Sequence, residues 1–392
     1  MTYRSPLLDR TGAVAATGPD GGVAWHYGDP VAEQRALARG GAVVDQSHLG
    51  VVRLTGPDRL SWLHSITSQD VEHLAPRAST ELFVLSPQGR LEHALATVDD
   101  GTSTWFVTEP DHVEPLVAWL ERMKFMMRVE IEDVTAQYAA LGEPVDAEGT
   151  ETEPVTWRDA WPHVVGGGTR YGPPAEEHPG ADRPWRLVLV PRETLADAVA
   201  EREAAGWRLA GTWASEALRV EAWRPRLARE VDDRTVPHEL DWLRTAVHLH
   251  KGCYRGQETI ARVHNLGRPP RRLVMLHLDG SQHVVPDAGA EVRRDGPDGK
   301  VVGTVTTVAR HHELGPIALA VVKRNVPTDA ELAVVGQIGA GPGDTAAQQI
   351  AVAAAQEVVV PGDGVSADRP AGRGETMRGL TPRGGDGAQS LL

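Results

Sequence analysis

The residues best equipped for chemistry stand together in Lys251-Gly252-Cys253-Tyr254-Arg255-Gly256-Gln257-Glu258, where the chain's only cysteine lies between two glycines and two cations. Glycine at 252 and 256 permits positive φ and close backbone approach. Gln257 to Val263 reads as a short helix ending near Asn265 and Gly267. Cys253 is therefore expected just ahead of a helix N-terminus, where the helix dipole, with Lys251 and Arg255 beside it, favours thiolate over thiol. That makes Cys253 a candidate nucleophile or metal ligand. The competing reading, a small buried hydrophobe, has no need of such neighbours. His248 and His250 alternate just upstream and invite a zinc reading, but the spacing matches no common zinc arrangement and there is no second cysteine.

The composition bounds what this stretch can serve. With 392 residues, two or three domains with sizeable cores are expected. The balance of 40 basic against 54 acidic residues gives a formal charge of −14, which argues against a general nucleic-acid or anionic-membrane binder. The N-terminal residues lack the apolar core of a signal peptide, and no run of about 18 apolar residues follows, so a cytoplasmic protein is expected. One cysteine excludes an internal disulfide, in keeping with a reducing compartment, and excludes a self-sufficient Cys-ligated iron–sulfur site.

The elements that must position the motif are legible in outline. Val31 to Arg39, Asp58 to Ile66, Pro110 to Met123, Glu193 to Ala205 and Trp213 to Ala222 have helical periodicity. Ala42 to Leu54, Glu81 to Leu85, Leu91 to Val98, Thr104 to Thr108 and Trp185 to Val190 read as strands, with Ser86-Pro87-Gln88-Gly89-Arg90 a strongly signalled turn. Residues 143–185, with Gly166-Gly167-Gly168, read as long flexible loops. Short strands at 271–278, 290–294, 301–308 and 317–322 suggest a small β-barrel. The resulting division is an α+β region over 1–265, a barrel over 266–340, and a disordered tail over 341–392, where large apolar residues are few.

Three stretches in order resemble the folate-binding superfamily of the glycine-cleavage T-protein, and within it the YgfZ-type folate-binding iron–sulfur cluster proteins. Residues 251–258 are similar to the YgfZ signature Lys-Gly-Cys-Tyr-x-Gly-Gln-Glu at every defined position. Ser47-His48-Leu49-Gly50 through Gly56-Pro57-Asp58 to Asp70-Val71 is similar to the superfamily's N-terminal pattern, and Leu218-Arg219-Val220-Glu221-Ala222 to a T-protein segment whose glutamate anchors the pterin. The resemblance implies an α+β fold of two portions around a central cavity, plus the barrel. It also implies tetrahydrofolate as cofactor, Glu221 on the pterin with Arg219 beside it, and iron–sulfur client or assembly proteins as partners.

One departure bears on activity. T-proteins carry an aspartate pair after the turn at Gly89, and this chain reads Arg90-Leu91-Glu92-His93-Ala94, with no acid at either matching position. His93 is then expected to line the folate site, where it could polarise the ligand or pass a proton. A single-thiol folate protein supporting cluster assembly or repair is the leading expectation. A folate-dependent aminomethyltransferase or demethylase is the alternative.

Overall fold

The computed structural model describes residues 3–144, 154–282, 285–338 and 348–369. A ribbon of β1 (Val14–Ala15) and β2 (Ala24–His26) leads into α1 (Pro30–Ala38), which Asp29 caps by accepting from the Ala32 N–H. Next come β3 (Ala42–Asp45), β4 (Gly50–Thr55), α2 (Arg59–Ile66), β5 (Ser79–Leu85), β6 (Leu91–Asp99), β7 (Ser103–Thr108) and α3 (Val113–Lys124). The chain continues through β8 (Glu130–Asp133), β9 (Tyr138–Glu143), β10 (Thr156–Arg158), β11 (Arg186–Pro191), α4 (Leu195–Ala204), β12 (Arg208–Ala210) and α5 (Thr212–Glu221). Three short helices, α6 (Leu227–Glu230), α7 (Leu243–Ala246) and α8 (Gln257–Asn265), close this α+β region.

Its strands form two five-stranded sheets, β10-β11-β9-β3-β12 and β5-β6-β7-β4-β8. They face one another. Leu49, Val51, Val98, Trp105 and Val107 of one side pack with Ala140, Trp157, Leu187 and Leu189 of the other, because strand alternation gives each sheet an apolar inner face. The outer face of the second sheet is covered by α2 and α3 through Trp62, Leu63, Leu116, Trp119 and Leu120. The outer face of the first is covered by α4, while α1 and α5 pack on its other face at the β3–β12 end.

A closed six-stranded barrel follows, β13 (Arg271–Leu278), β14 (Glu291–Arg294), β15 (Lys300–His311), β16 (Gly315–Lys323), β17 (Leu332–Ile338) and β18 (Gln348–Val358), in the order β13-β16-β15-β14-β17-β18. The sixth strand corrects the expectation of a disordered tail from 341. Ile350, Val352 and Ala354 alternate inward, and β18 pairs with both β17 and β13, so closure satisfies both of its edges. Beyond it, Val359 and Val360 are fully buried, Ser366 reaches His264 of α8 (3.1 Å), and Arg369 donates to the Gly267 carbonyl (3.0 Å). The remainder of the expected tail, 370–392, lies outside the described residues.

The described part of the expected long loops, 154–185, is packed into the fold. Trp157, Trp161 and Tyr171 within it are buried. A Cβ on Gly167 would strike the His248 ring, and one on Gly168 would lie 2.7 Å from the Arg244 carbonyl oxygen, so these glycines serve close packing. Arg244, fully buried, pins the segment by pairing with Asp241 (2.6 Å) and donating to the carbonyls of Pro162 (2.9 Å) and Pro173 (2.6 Å).

Candidate functional site

Between the two sheets, α5 and the 157–185 connection lies a cavity of about 430 Å³. Its flat walls are Trp157, Trp161, Trp185 and Trp242. Helix α5 and its C-cap contribute Ser215, Glu216, Leu218, Arg219 and Ala222, one face by helical spacing. The polar wall is built on Arg224. Its guanidinium pairs with Asp159 (Nε–Oδ2, 2.8 Å) and Glu81 (2.8 Å) and sits 5.3 Å from the Trp161 ring and 5.2 Å from that of Trp242. Burial works against that charge, yet the two carboxylates outweigh it and push the pKa of Arg224 up. Glu81 also accepts from Trp242 Nε1 (2.9 Å) and Thr245 Oγ1 (2.5 Å). Nη1 of Arg224 is buried without a protein partner, as is Nδ1 of His48 in the same wall.

A second charge network lies beside the first. Arg226 grips Glu109 with both prongs (2.8 and 2.9 Å) and reaches Asp20 (2.6 Å), while Arg219 grips Glu216 (2.9 and 3.0 Å) and reaches Glu230 (2.8 Å) and Thr307 of the barrel (2.9 Å). Arg219 thus lines the cavity with its donors already committed. Glu221 does not line it. It falls off the edge of the α5 face, where its carboxylate is taken by Arg183 and lies 3.2 Å from His311 Nε2. His93 does not line it either. Strand alternation turns it to the α3 side, against His112 (3.2 Å), and burial, then His112, pulls its pKa to about 4. Its neighbour Ala94 faces the cavity.

The cysteine motif forms a clasp beside the cavity. Lys251 runs inward, donating to the carbonyls of His64, Thr67 (2.8 Å) and Gln69 (2.8 Å), and so caps the C-terminal end of α2 with a cation. Burial lowers its pKa to about 8, against the opposing charges of Asp70 and Glu72. Gly256 has φ +85°, and a Cβ there would lie 2.6 Å from the Ser86 carbonyl oxygen, so only glycine lets the loop seat on the 86–90 turn. Gln257 returns a hydrogen bond to the Lys251 carbonyl (3.2 Å). Tyr254 is buried among Phe83, Leu85 and Trp242 of the central core. Arg255 pairs with Glu92 (2.9 Å), Glu258 with Arg262 on the surface of α8 (2.9 Å), and a Cβ on Gly252 would lie 3.9 Å from His64 Nε2, in ordinary contact.

Cys253 itself is exposed. Of the two cations expected beside the sulfur, Lys251 donates to backbone carbonyls and Arg255 pairs with Glu92. Nor does Cys253 line the cavity. The connection between them is β6: Glu92 holds the clasp and Ala94, two residues on, faces the cavity, a step of about 7 Å along a strand. Lys251→Met should leave the α2 carbonyls without a donor and cost about 3 kcal/mol of unfolding free energy, read from urea denaturation. A value within experimental error of wild type would show the cap to be dispensable.

Residues 11–142 match the GCVT N-terminal domain, and residues 271–340 the glycine cleavage T-protein C-terminal barrel domain. The chain belongs to the glycine-cleavage T-protein superfamily. Among curated T-protein relatives, an aminomethyltransferase of Rippkaea orientalis is 27% identical over 336 residues, covering 78% of this chain and 85% of that protein. A putative chloroplastic transferase of Arabidopsis thaliana is 25% identical over 323 residues, 77% of this chain and 70% of its own length. The mitochondrial iron–sulfur cluster assembly factor IBA57 homolog of Cryptococcus neoformans is 24% identical over 265 residues, 59% of this chain and 65% of that one. In fold, the chain is similar to the glycine cleavage system aminomethyltransferase T of Bartonella henselae, with a TM-score of 0.66 at 16% identity over 89% of this chain and 94% of that structure. Among the described residues no helix is long and apolar enough to cross a membrane.

Sequence reasoning missed the T-protein cavity's polar wall. Glu81, Asp159, Arg224 and His48 come from four separated segments, and nothing in their local spacing marks them as neighbours. The one available signal was the excess of tryptophans, four of which prove to be cavity walls.

Proposed function

We propose that the chain is a tetrahydrofolate-binding protein that supports assembly or repair of iron–sulfur clusters in client enzymes through Cys253. The observation that carries this reading is the exposed thiol in a clasp that Lys251, Arg255 and Gln257 hold in place. A cluster handled here is cargo. One thiolate cannot hold it alone, so the remaining ligands come from a partner or a second copy.

The cavity suits a reduced pterin. Its volume lies in the range of small-molecule sites. Tryptophan faces match a flat bicyclic ring, Glu81 and Asp159 can accept from ring amide and amine groups, and the unpartnered Nη1 of Arg224 can donate to a ring carbonyl. Bound there, tetrahydrofolate would supply a carrier for one-carbon units. The similarity to an IBA57 homolog supports a place in cluster assembly, and a reducing compartment would keep the lone thiol reduced.

The aminomethyltransferase reading has its own support in the relatives of that name. Against it stands Ala94, which puts a methyl group on the cavity-facing side of the strand where the transferases of the family carry acid. Cys253→Ala should leave tetrahydrofolate affinity within about twofold of wild type and abolish support of cluster-enzyme activity in cells lacking the native protein. Loss of both together, or formation of methylene-tetrahydrofolate from an aminomethyl donor by purified protein, would overturn the assignment.

A further inference from the structure

We propose that His48 is a recognition residue of the central cavity, accepting at Nδ1 a hydrogen bond from an N–H group of the planar heteroaromatic ligand, with Asp20 as the positioning residue that orients its ring. The proposal rests on the folate reading for the identity of the ligand, and on the following geometry for the rest.

His48 lies in the turn between β3 and β4, with Gln46 and Leu49 beside it in the cavity wall. Its side chain is only 3% exposed; Nε2 faces Asp20, while Nδ1 has no hydrogen-bond partner within the protein. Leaving such a buried group unsatisfied costs about 1–3 kcal/mol, and the wall it occupies opens on a cavity able to hold a partner.

The turn cannot relax to satisfy the ring. Leu49 N–H donates to the Gln46 carbonyl (3.0 Å), Ser47 N–H to Asp45 Oδ1 (3.0 Å), Tyr3 O–H to Ser47 Oγ (2.7 Å), and Arg192 Nη2 to the Ser47 carbonyl (2.9 Å). The ring's orientation is set from the other side. Asp20 Oδ1 lies 3.4 Å from His48 Nε2 while its two oxygens accept from Arg226 Nη1 (2.6 Å) and Arg229 Nη2 (2.7 Å). Burial alone would favour the neutral acid, but Arg226, His48 and Arg229 hold Asp20 well below the usual carboxylate range, so it is always an acceptor. A carboxylate facing Nε2 places the ring proton there and leaves Nδ1 as a bare lone pair. Arg224 Nη1, an unpartnered donor in the same wall, supplies the opposite preference. The cavity therefore selects a ligand that presents a donor toward His48 and an acceptor toward Arg224, the two edges of a cyclic amide such as a pterin ring.

The test is a calorimetric titration of wild type, His48→Ala and His48→Asn with tetrahydrofolate, together with imidazole nitrogen spectra of the wild type. His48→Ala should weaken binding about tenfold or more, and His48→Asn, whose amide oxygen falls near Nδ1, should restore it to within about threefold. The spectra should show His48 protonated at Nε2 alone, with the Nδ1 signal shifting as ligand is added. Equal affinity of His48→Ala and wild type, or a His48 signal unmoved at saturation, overturns this inference and leaves the folate reading standing. A wild type that does not bind tetrahydrofolate overturns both. Should His48→Ala fail to fold, the wild-type spectra decide.

Discussion

Lowering the pH from about 6.5 toward 4 is expected to remove stability at about 4 kcal/mol per pH unit, because three buried histidines take up protons in the unfolded chain and not in the folded one. His93, held against His112, has its pKa pulled by burial from 6.5 to about 4. His178, between Trp161 and Trp223 at centroid distances of 5.3 and 5.0 Å, is pulled to about 3 by burial and by Arg244. His238, fully buried against α8 with Nε2 on the Ile260 carbonyl (3.1 Å), is pulled to about 3. The sign follows directly. A depressed folded-state pKa means that below 6.5 the unfolded state binds the extra proton, so the stability present at neutral pH is lost as the pH falls through the window from 6.5 to the folded values. Each histidine contributes a slope of at most about 1.4 kcal/mol per pH unit. Asp232, whose carboxyl is held low chiefly by its hydrogen bonds with Arg271, loses its contribution only below 3.8, outside that window. Urea midpoints measured between pH 7 and 4 test this, with His93→Asn expected to flatten the slope by about a third. A flat profile above pH 4.5 would refute it. The acid transition should loosen Trp161 of the cavity wall, against which His178 packs, and the motif helix at His238 together.

The second large effect belongs to Arg224. Arg224→Met should cost about 3–5 kcal/mol of stability, because it strands the buried carboxylates of Glu81 and Asp159 opposite each other without a cation. Arg224→Lys should recover less than half of that, since an ammonium cannot reproduce the fork or stack on Trp161 and Trp242. By contrast, removing Arg10 from its partly exposed pair with Glu203 should cost about 0.5 kcal/mol or less. Urea denaturation of the three variants at pH 7 gives the ranking. An Arg224→Met protein as stable as the Arg10 variant would show that the polar wall is solvated and not the closed network described above. Because Trp242 and Thr245 also hang on Glu81, the loss should spread to α7 and its packing on β5.

What the sequence by itself determined is local. Periodicity placed α1 through α5 and β3 to β7 to within a few residues, and turn chemistry marked Gly89 and Gly256, whose positive φ values of +72° and +85° the structure requires. The motif declared Cys253 because a lone cysteine between glycines and cations is unusual in itself. Two barrel strands were not read from the sequence, β17 and β18; of these, Gln348 to Val358 is built mainly of alanine and glutamine, which carry little strand signal until ring closure gives both edges a partner. Tertiary structure decided everything that depends on which way a side chain turns. His93 faces α3 while Ala94 faces the cavity, Glu221 faces Arg183 and His311 while Arg219 faces the cavity, and Lys251 and Arg255 are taken up by backbone carbonyls and by Glu92. The reason is that adjacent residues differ by about 180° on a strand and 100° on a helix, so a one-residue offset moves a group from a cavity to the opposite side of a wall. The cavity's polar wall was out of reach for a related reason: Glu81, Asp159, Arg224 and His48 become neighbours only when two sheets and the 157–185 segment close over the same space.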